Sequence, residues 1–312
     1  MGAISFDREL LRRALPAITL VILLVAIFIK QPLTMSQFGL TLMLQYAVPI
    51  ALATVAQMFV IAVNDLDLSI GSFVGLTTCI AGLFLPTDPV LGVLLLLLCI
   101  VAYAAMGALI HLRNLPSIVV TLGMSFVWLG ISVLLLPAPG GKAPDWLKGL
   151  VGFHMPFVPF PIIAAVVIAL VVQLGLMHTS YGVVLRGTGG NPRAVARAGW
   201  SLLKTKMVMF GLAGTFGVLS GLSLIGLTSA ADAHIADRYT LYSIAGVILG
   251  GGEFIGGRVS PVGAVLGAIT LALAGSFLIF LRISPDWQIG AQGAILIIVL
   301  ALRALISRGS AR

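Results

Sequence analysis

Charge is scarce in this sequence: of its 312 residues, 9% are Asp, Glu, Lys or Arg and 60% are hydrophobic. An ordinary soluble domain carries roughly 25% charged residues, so that class is excluded. Apolar runs long enough to cross a hydrocarbon core of about 30 Å recur from end to end. They are blocks of Leu, Val, Ile and Ala, not ten-residue alternating segments. A membrane β-barrel is therefore excluded, and helices that satisfy their own backbone remain. The chain reads as an all-α polytopic membrane protein, with one membrane domain over residues 1–312.

Cysteine is nearly absent too. Cys79 and Cys99 sit inside apolar runs with no His or acidic cluster beside them, so they read as small core residues, without a metal site or a cofactor. No G-x-x-x-x-G-K-[S/T] occurs. The nearest run, Gly140-Gly141-Lys142-Ala143, lacks the spacing and the hydroxyl, so no P-loop ATP site is expected. Metalloprotease helices, nucleophile elbows and paired carboxylates in a polar domain are missing as well, which argues against an enzyme.

A formal charge of +8 would raise nucleic-acid binding in a soluble protein. Here the basic residues flank apolar spans, so membrane lipid is the expected contact and nucleic acid is not. Spans are expected near 14–29, 40–63, 70–86, 89–111, 115–136, 159–177, 205–227, 240–252, 261–281 and 287–305, about ten transmembrane helices. The run at 14–29 follows Arg8, Arg12 and Arg13 and lacks a clear cleavage site, so it reads as an uncleaved first span. With a cytoplasmic N-terminus, the inside segments hold thirteen of the eighteen Lys and Arg. Lys30, Lys142, Lys148, Arg238 and Arg282 fall outside. That excess places both termini in the cytoplasm. Spans three and eight are short and glycine-flanked, as in transporters with broken helices. Spans 2–5 and 7–10 would form halves of opposite orientation, an inverted repeat that rests on topology alone.

The longest inside connection, about 178–206, contains Gly189, Gly190, Asn191 and Pro192, read as a turn that opens a short helix. Asn191 is the expected N-cap, Pro192 the first helical residue, Ala194 lies within, and Gly199 ends it. Such a protrusion suits docking by another protein, and equally a surface loop held by anionic lipid.

Asp65, Asp67 and Ser69 mark a break between spans. They read either as caps for the helix near Ile70 or, at membrane depth, as groups facing a wet cavity. Thr121, Ser125, Trp128 and Ser132 share one helical face, and Tyr46, Gln57 and Asn64 share another. These stripes suit a polar pathway or interhelical hydrogen bonding. Gly71/Gly75, Gly217/Gly221, Gly246/Gly250 and Gly263/Gly267 are expected to let helices pack closely. The outer loops carry Trp146, Asp232, Asp237 and Arg238.

Four ordered motifs carry a resemblance over residues 40–305. They are G-G-N-x₇-G from Gly189 to Gly199, D-L-S-I-G at 67–71, L-P-S-I-V-V-T-L-G-M at 115–124, and V-I-L-G-G at 247–251 followed by Gly256 and Gly257. Together they resemble the permease subunits of ribose-type monosaccharide ABC importers, which are related to branched-chain amino-acid permeases.

The resemblance implies a permease of the bacterial inner membrane that moves a small sugar or sugar-like solute inward. Separate ABC ATPase subunits would couple through 178–206, and a periplasmic or extracellular solute-binding protein would dock on Trp146, Asp232, Asp237 and Arg238. A second permease chain, identical or paralogous, would complete the pore. Gln57, Asn64, Asp65, Asp67, Ser69, Thr121, Ser125 and Trp128 would serve the pathway or gate. The sequence departs from that pattern at Asn64-Asp65-Leu66, where the family has Gly-Gly-Ile, at Thr240 and Tyr242, where many members carry acids, and at Glu253. The competing reading is an ion-gradient-driven secondary transporter, which would depend on Asp65 or Asp67.

Overall fold

The computed structural model describes residues 2–284 except 154–156 and 255, together with positions 287, 290, 293, 294 and 297; side chains are described from Ala14 onward. Every regular element within these residues is helical. The order is α1 (Gly2–Lys30), α2 (Gln37–Leu44), α3 (Ala47–Ile61), α4 (Ile70–Phe84), α5 (Pro89–Leu112), α6 (Ser117–Leu135) and α7 (Asp145–Val151). Then follow α8 (Phe160–Val172), α9 (Ser180–Gly190), α10 (Pro192–Arg197), α11 (Leu202–Thr228), α12 (Tyr239–Leu249) and α13 (Pro261–Phe280). Helix starts follow local chemistry. Asp88, Thr179, Asn191, Ser201 and Ser260 each accept a hydrogen bond from the first turn of the helix that follows.

Among the described residues, five helices are long and apolar enough to cross a membrane: Pro89–Leu112, Ser117–Leu135, Phe160–Met177, Leu202–Thr228 and Pro261–Phe280. The expected continuous span at 40–63 is instead a pair, α2 and α3, bent by 40° around residues 45–46. Counted as one span, it makes six. The expected spans at 70–86 and 240–252 form helices of 15 and 11 residues. At 1.5 Å per residue these reach about 22 and 16 Å, short of a hydrocarbon core of about 30 Å. The tenth expected span, 287–305, lies largely outside the described residues. The chain is an all-helical polytopic membrane protein.

The middle of the bundle is α3 packed along α11. On one flank α11 also packs along α4 and α5, and on the other α3 packs along α12 and α13. α6 covers α4, and α1 covers α13. Close approach depends on the glycine pairs. A Cβ on Gly221 would meet Thr77 Oγ1 at 1.9 Å, and one on Gly263 would meet the Gly250 carbonyl oxygen at 1.8 Å. All eight paired glycines have a neighbour within 2.8 Å of such a Cβ; for seven it lies on another helix or its C-cap, as the small-residue spacing predicts, whereas Gly75 faces the Ala233 carbonyl in the loop before α12.

Gly263→Ala forces a methyl against a backbone carbonyl that cannot rotate away. It should cost about 1–3 kcal/mol. Gly123, in α6, has nothing within 4 Å of its Cβ position. Gly123→Ala should leave stability unchanged or raise it by up to about 1 kcal/mol. Thermal unfolding of the detergent-solubilised protein checks both; equal melting temperatures for the two variants would contradict the packing account.

Candidate functional site

α3 ends at Ile61, and the chain turns through Asn64 at φ 60°, a left-handed conformation that Asn tolerates better than most residues. Residues 65–69 are then non-helical, so their backbone groups need partners from elsewhere in the bundle. Leu66 N donates to Ser117 Oγ at 3.1 Å and Leu68 N to Thr121 Oγ1 at 3.1 Å. The Gln57 carboxamide, its O and N assigned from the groups each faces, pairs with the Asp67 backbone, donating to its carbonyl at 3.1 Å and accepting from its N–H at 3.2 Å. Gln57 and Thr121, both fully buried, thus hold the break by interhelical hydrogen bonds.

The Asp67 carboxylate is fully buried. Its Oδ1 accepts from Ser69 N and Ser69 Oγ, both at 2.7 Å, and its Oδ2 accepts from the Tyr103 hydroxyl. The expected cap of α4 by the side chains of Asp65, Asp67 or Ser69 does not form, because those side chains are engaged elsewhere. Gly71 N in the first turn of α4 instead donates to Thr240 Oγ1 at 3.0 Å, at the start of α12. The two short helices therefore meet at their N-termini.

Beside Asp67 lies an aromatic group. Phe73 is 4.3 Å from Tyr103 and 5.6 Å from Trp128 between ring centroids. Trp128 is 5% exposed, and its indole N–H has no hydrogen-bond partner among the described residues. On α6, Thr121, Trp128 and Ser132 are buried on one face. Ser125 lies at that face's edge and donates to its own helix, to Leu122 O at 2.6 Å. The other stripe is not brought together. Tyr46 falls in the α2–α3 bend and is 43% exposed, and Asn64 falls beyond the end of α3.

At the end of the bundle where α3 stops, Asn64 Nδ2 donates to the Gly189 carbonyl at 2.6 Å, and Gly256 N donates to Asn64 Oδ1 at 3.0 Å. Asp65 pairs with Lys206 at 2.8 Å, and both side chains are largely buried. α10 protrudes between these two attachments with no buried residue. Asn191 caps it as expected, accepting from Ala194 N at 3.0 Å, Pro192 is its first residue, and Gly199 follows its end at φ 85°. Gly189 and Gly190 do not form the expected turn. They complete α9, because Gly189 packs so closely on the Ala62 carbonyl, 2.2 Å from where its Cβ would be, that only glycine fits. A cavity of about 590 Å³ opens beside them, lined by Arg186, Gly190, Glu253, Gly256 and Arg258 among others. Glu253 pairs loosely with Arg258 at 3.7 Å.

At the opposite end the two charged loops are joined. Gly140 and Ala231 exchange backbone hydrogen bonds at 2.9 and 2.8 Å, and Ala143 N donates to Ser229 O at 3.2 Å. Trp146, 62% exposed, stands on α7, a helix within what reads in the sequence as loop. Asp232 accepts from His234 N at 2.7 Å, and Asp237 pairs with the His234 ring at 2.9 Å; Arg238 is exposed. Tyr103 is missing from the sequence reading, and Ser117 and Lys206 enter it only within a motif and as the end of a connection, without a role. For Tyr103 the available signal was a lone phenol inside the apolar run of α5, where a buried hydroxyl needs a partner.

Residues 39–300 match the family model described as the permease component of the branched-chain amino acid transport system. The chain is 27% identical to the ribose import permease protein of Bacillus subtilis, over 96% of this chain and 94% of that protein. It is 29% identical to the autoinducer 2 import system permease protein of Salmonella paratyphi B, over 88% and 81%. With the galactose/methyl galactoside import permease protein of Escherichia coli it shares 26% identity, over 92% and 93%. No solved structure matches the chain.

Removing the Tyr103 hydroxyl leaves a buried carboxylate oxygen without its donor. A double-mutant cycle of Tyr103→Phe with Asp67→Asn should give a coupling of about 1.5–3 kcal/mol in unfolding stability. Strict additivity of the two single changes would show that the contact holds nothing.

Proposed function

The chain belongs to the permease family of the branched-chain amino acid transport system, and on that premise we propose that it is the membrane subunit of an ATP-driven importer. Its cargo in this reading is a small sugar or sugar-like solute, in keeping with relatives named for ribose, galactose and autoinducer 2 import. Alternating access moves the solute, with ATP hydrolysed on separate ATPase subunits. The excess of Lys and Arg on one side supports a cytoplasmic α10 and cytoplasmic termini beneath the inner membrane of a bacterium.

The observation that carries this reading is the exposed, capped α10, rooted through Gly189 and Lys206 in the break that bears Asp67. In the proposed cycle an ATPase subunit grips α10 and residues Gly189, Gly190, Asn191, Pro192, Ala194 and Gly199. The break at Asn64–Ser69, with Gln57, Thr121, Ser125 and Trp128 around it, acts as the gate. A solute-binding protein docks outside on the joined loops bearing Trp146, Asp232, Asp237 and Arg238, steered by charge at their rim. One α10 per chain calls for a second permease chain, and membrane lipid surrounds the pair.

Two inverted halves fit the same picture, with α4 and α12 as short elements inside the bundle rather than full spans. α11 lies on α4 and α5 much as α3 lies on α12 and α13, and a non-helical segment precedes both α4 and α12. These pairings support the repeat.

Reconstitution decides the driving force. Liposomes holding this chain alone should take up no labelled ribose or galactose, whatever the ion gradient. With ATPase and binding protein added, uptake of the sugar the binding protein retains should require ATP. Gradient-driven uptake by the single chain would replace this reading with a secondary transporter. Within the assembled complex, Asn191→Ala removes the α10 cap, worth about 1 kcal/mol, and should lower uptake several-fold while the chain still inserts. Unchanged uptake would remove α10 from the coupling role.

A further inference from the structure

α10 has two roots, and they reach consecutive residues. Gly189, just before it, is held by Asn64, and Lys206, after it, is held by Asp65. The Asn64 carboxamide also takes the Gly256 N–H, so one side chain joins segments 125 and 192 positions away. The Gly189 carbonyl is among the last of α9, which have no partner within their own helix, and Asn64 supplies that partner.

The surrounding contacts leave little slack. A Cβ on Gly257 would lie 2.3 Å from the Arg186 carbonyl oxygen, and one on Gly189 would lie 2.2 Å from that of Ala62. Backbone therefore rests on backbone, with no flexible side chain between to absorb a displacement. Beyond Asp65, the backbone of Leu66, Asp67 and Leu68 is already committed to Ser117, Gln57 and Thr121.

We propose that Asn64 and Asp65 are positioning residues that carry movement of the α10 roots into residues 65–69, so that Asp67 and α4 shift with the cytoplasmic segment. This rests on the reading of α10 as the docking element. Asn64 touches no solute in this account; it acts through Gly189 and Gly256. The ribose-type pattern has two glycines where this chain has Asn64 and Asp65. Glycine tolerates the left-handed turn equally well, so the clasp belongs to these side chains and not to the backbone.

Asn64→Gly therefore removes the clasp while keeping the turn. In the purified full chain, hydrogen exchange over 186–200 and 250–260 should quicken together, by roughly five- to tenfold for two lost hydrogen bonds. In the assembled complex, labelled sugar moved per ATP hydrolysed should fall several-fold. Asp65→Lys and Lys206→Asp should each lower that ratio, and the double reversal should restore most of it. Faster exchange confined to residues near 64 would overturn the proposal, as would faster exchange in both segments with an unchanged ratio. A native complex that hydrolyses ATP without moving sugar would instead sink the docking reading, and the exchange result would still judge the clasp.

Discussion

A chain that stops being helical inside an apolar bundle must find other partners for its N–H and C=O groups, and the arrangement around residues 62–69 follows from that requirement. Gln57 pairs with the Asp67 backbone as a neighbouring strand would, and Ser117 and Thr121 take the N–H groups of Leu66 and Leu68. Once those hydroxyls and the carboxamide are committed, α3 and α6 are fixed relative to the break. Asp67 then turns its carboxylate onto Ser69 and Tyr103, which brings α5 into the same network.

The glycines complete what the hydrogen bonds begin. Several crossings near the break are made where one partner is glycine, with Gly217 and Gly221 of α11 against α4 and Gly246 of α12 against Thr54 of α3, so those helices approach closely. That closeness lets Thr240 reach the N-terminus of α4 and lets a single Asn span two segments. Dispersion and short hydrogen bonds replace the hydrophobic effect, which drives little helix association when lipid is the solvent. The result is a stiff centre with a protruding helix at one end and two tied loops at the other.

Much of this was legible along the chain. Apolar run lengths located α4, α5, α6, α8, α11, α12 and α13 to within a few residues, though not the start of α1 at Gly2 nor α7 and α9, and Asn191, Pro192 and Gly199 marked the ends of α10 because capping is local chemistry. The small-residue spacing located the tight crossings because it is a property of one helix face. Span 40–63 read as continuous although Pro49 cannot donate to the Gln45 carbonyl and its ring crowds it, which is a local cause for the bend at 45–46. The other failures share a non-local cause. The α4 cap was assigned to its own neighbours, Asp65, Asp67 and Ser69, when Thr240 supplies it from 169 residues away. Gly189 read as a turn residue because its close contact with Ala62 is not local.

Composition and periodicity by themselves determined membrane residence, helical class, the short broken elements and the exposed capped helix, since each depends on transfer free energy or on bonds within a few residues. The tertiary structure alone decided which polar side chains serve the break and which remain exposed. It alone brought Asn64 and Asp65 to the two roots of α10. A side chain's hydrogen-bond partner is set by which helices lie within about 3 Å of its tip, and in this fold those helices are joined only through packing of distant segments.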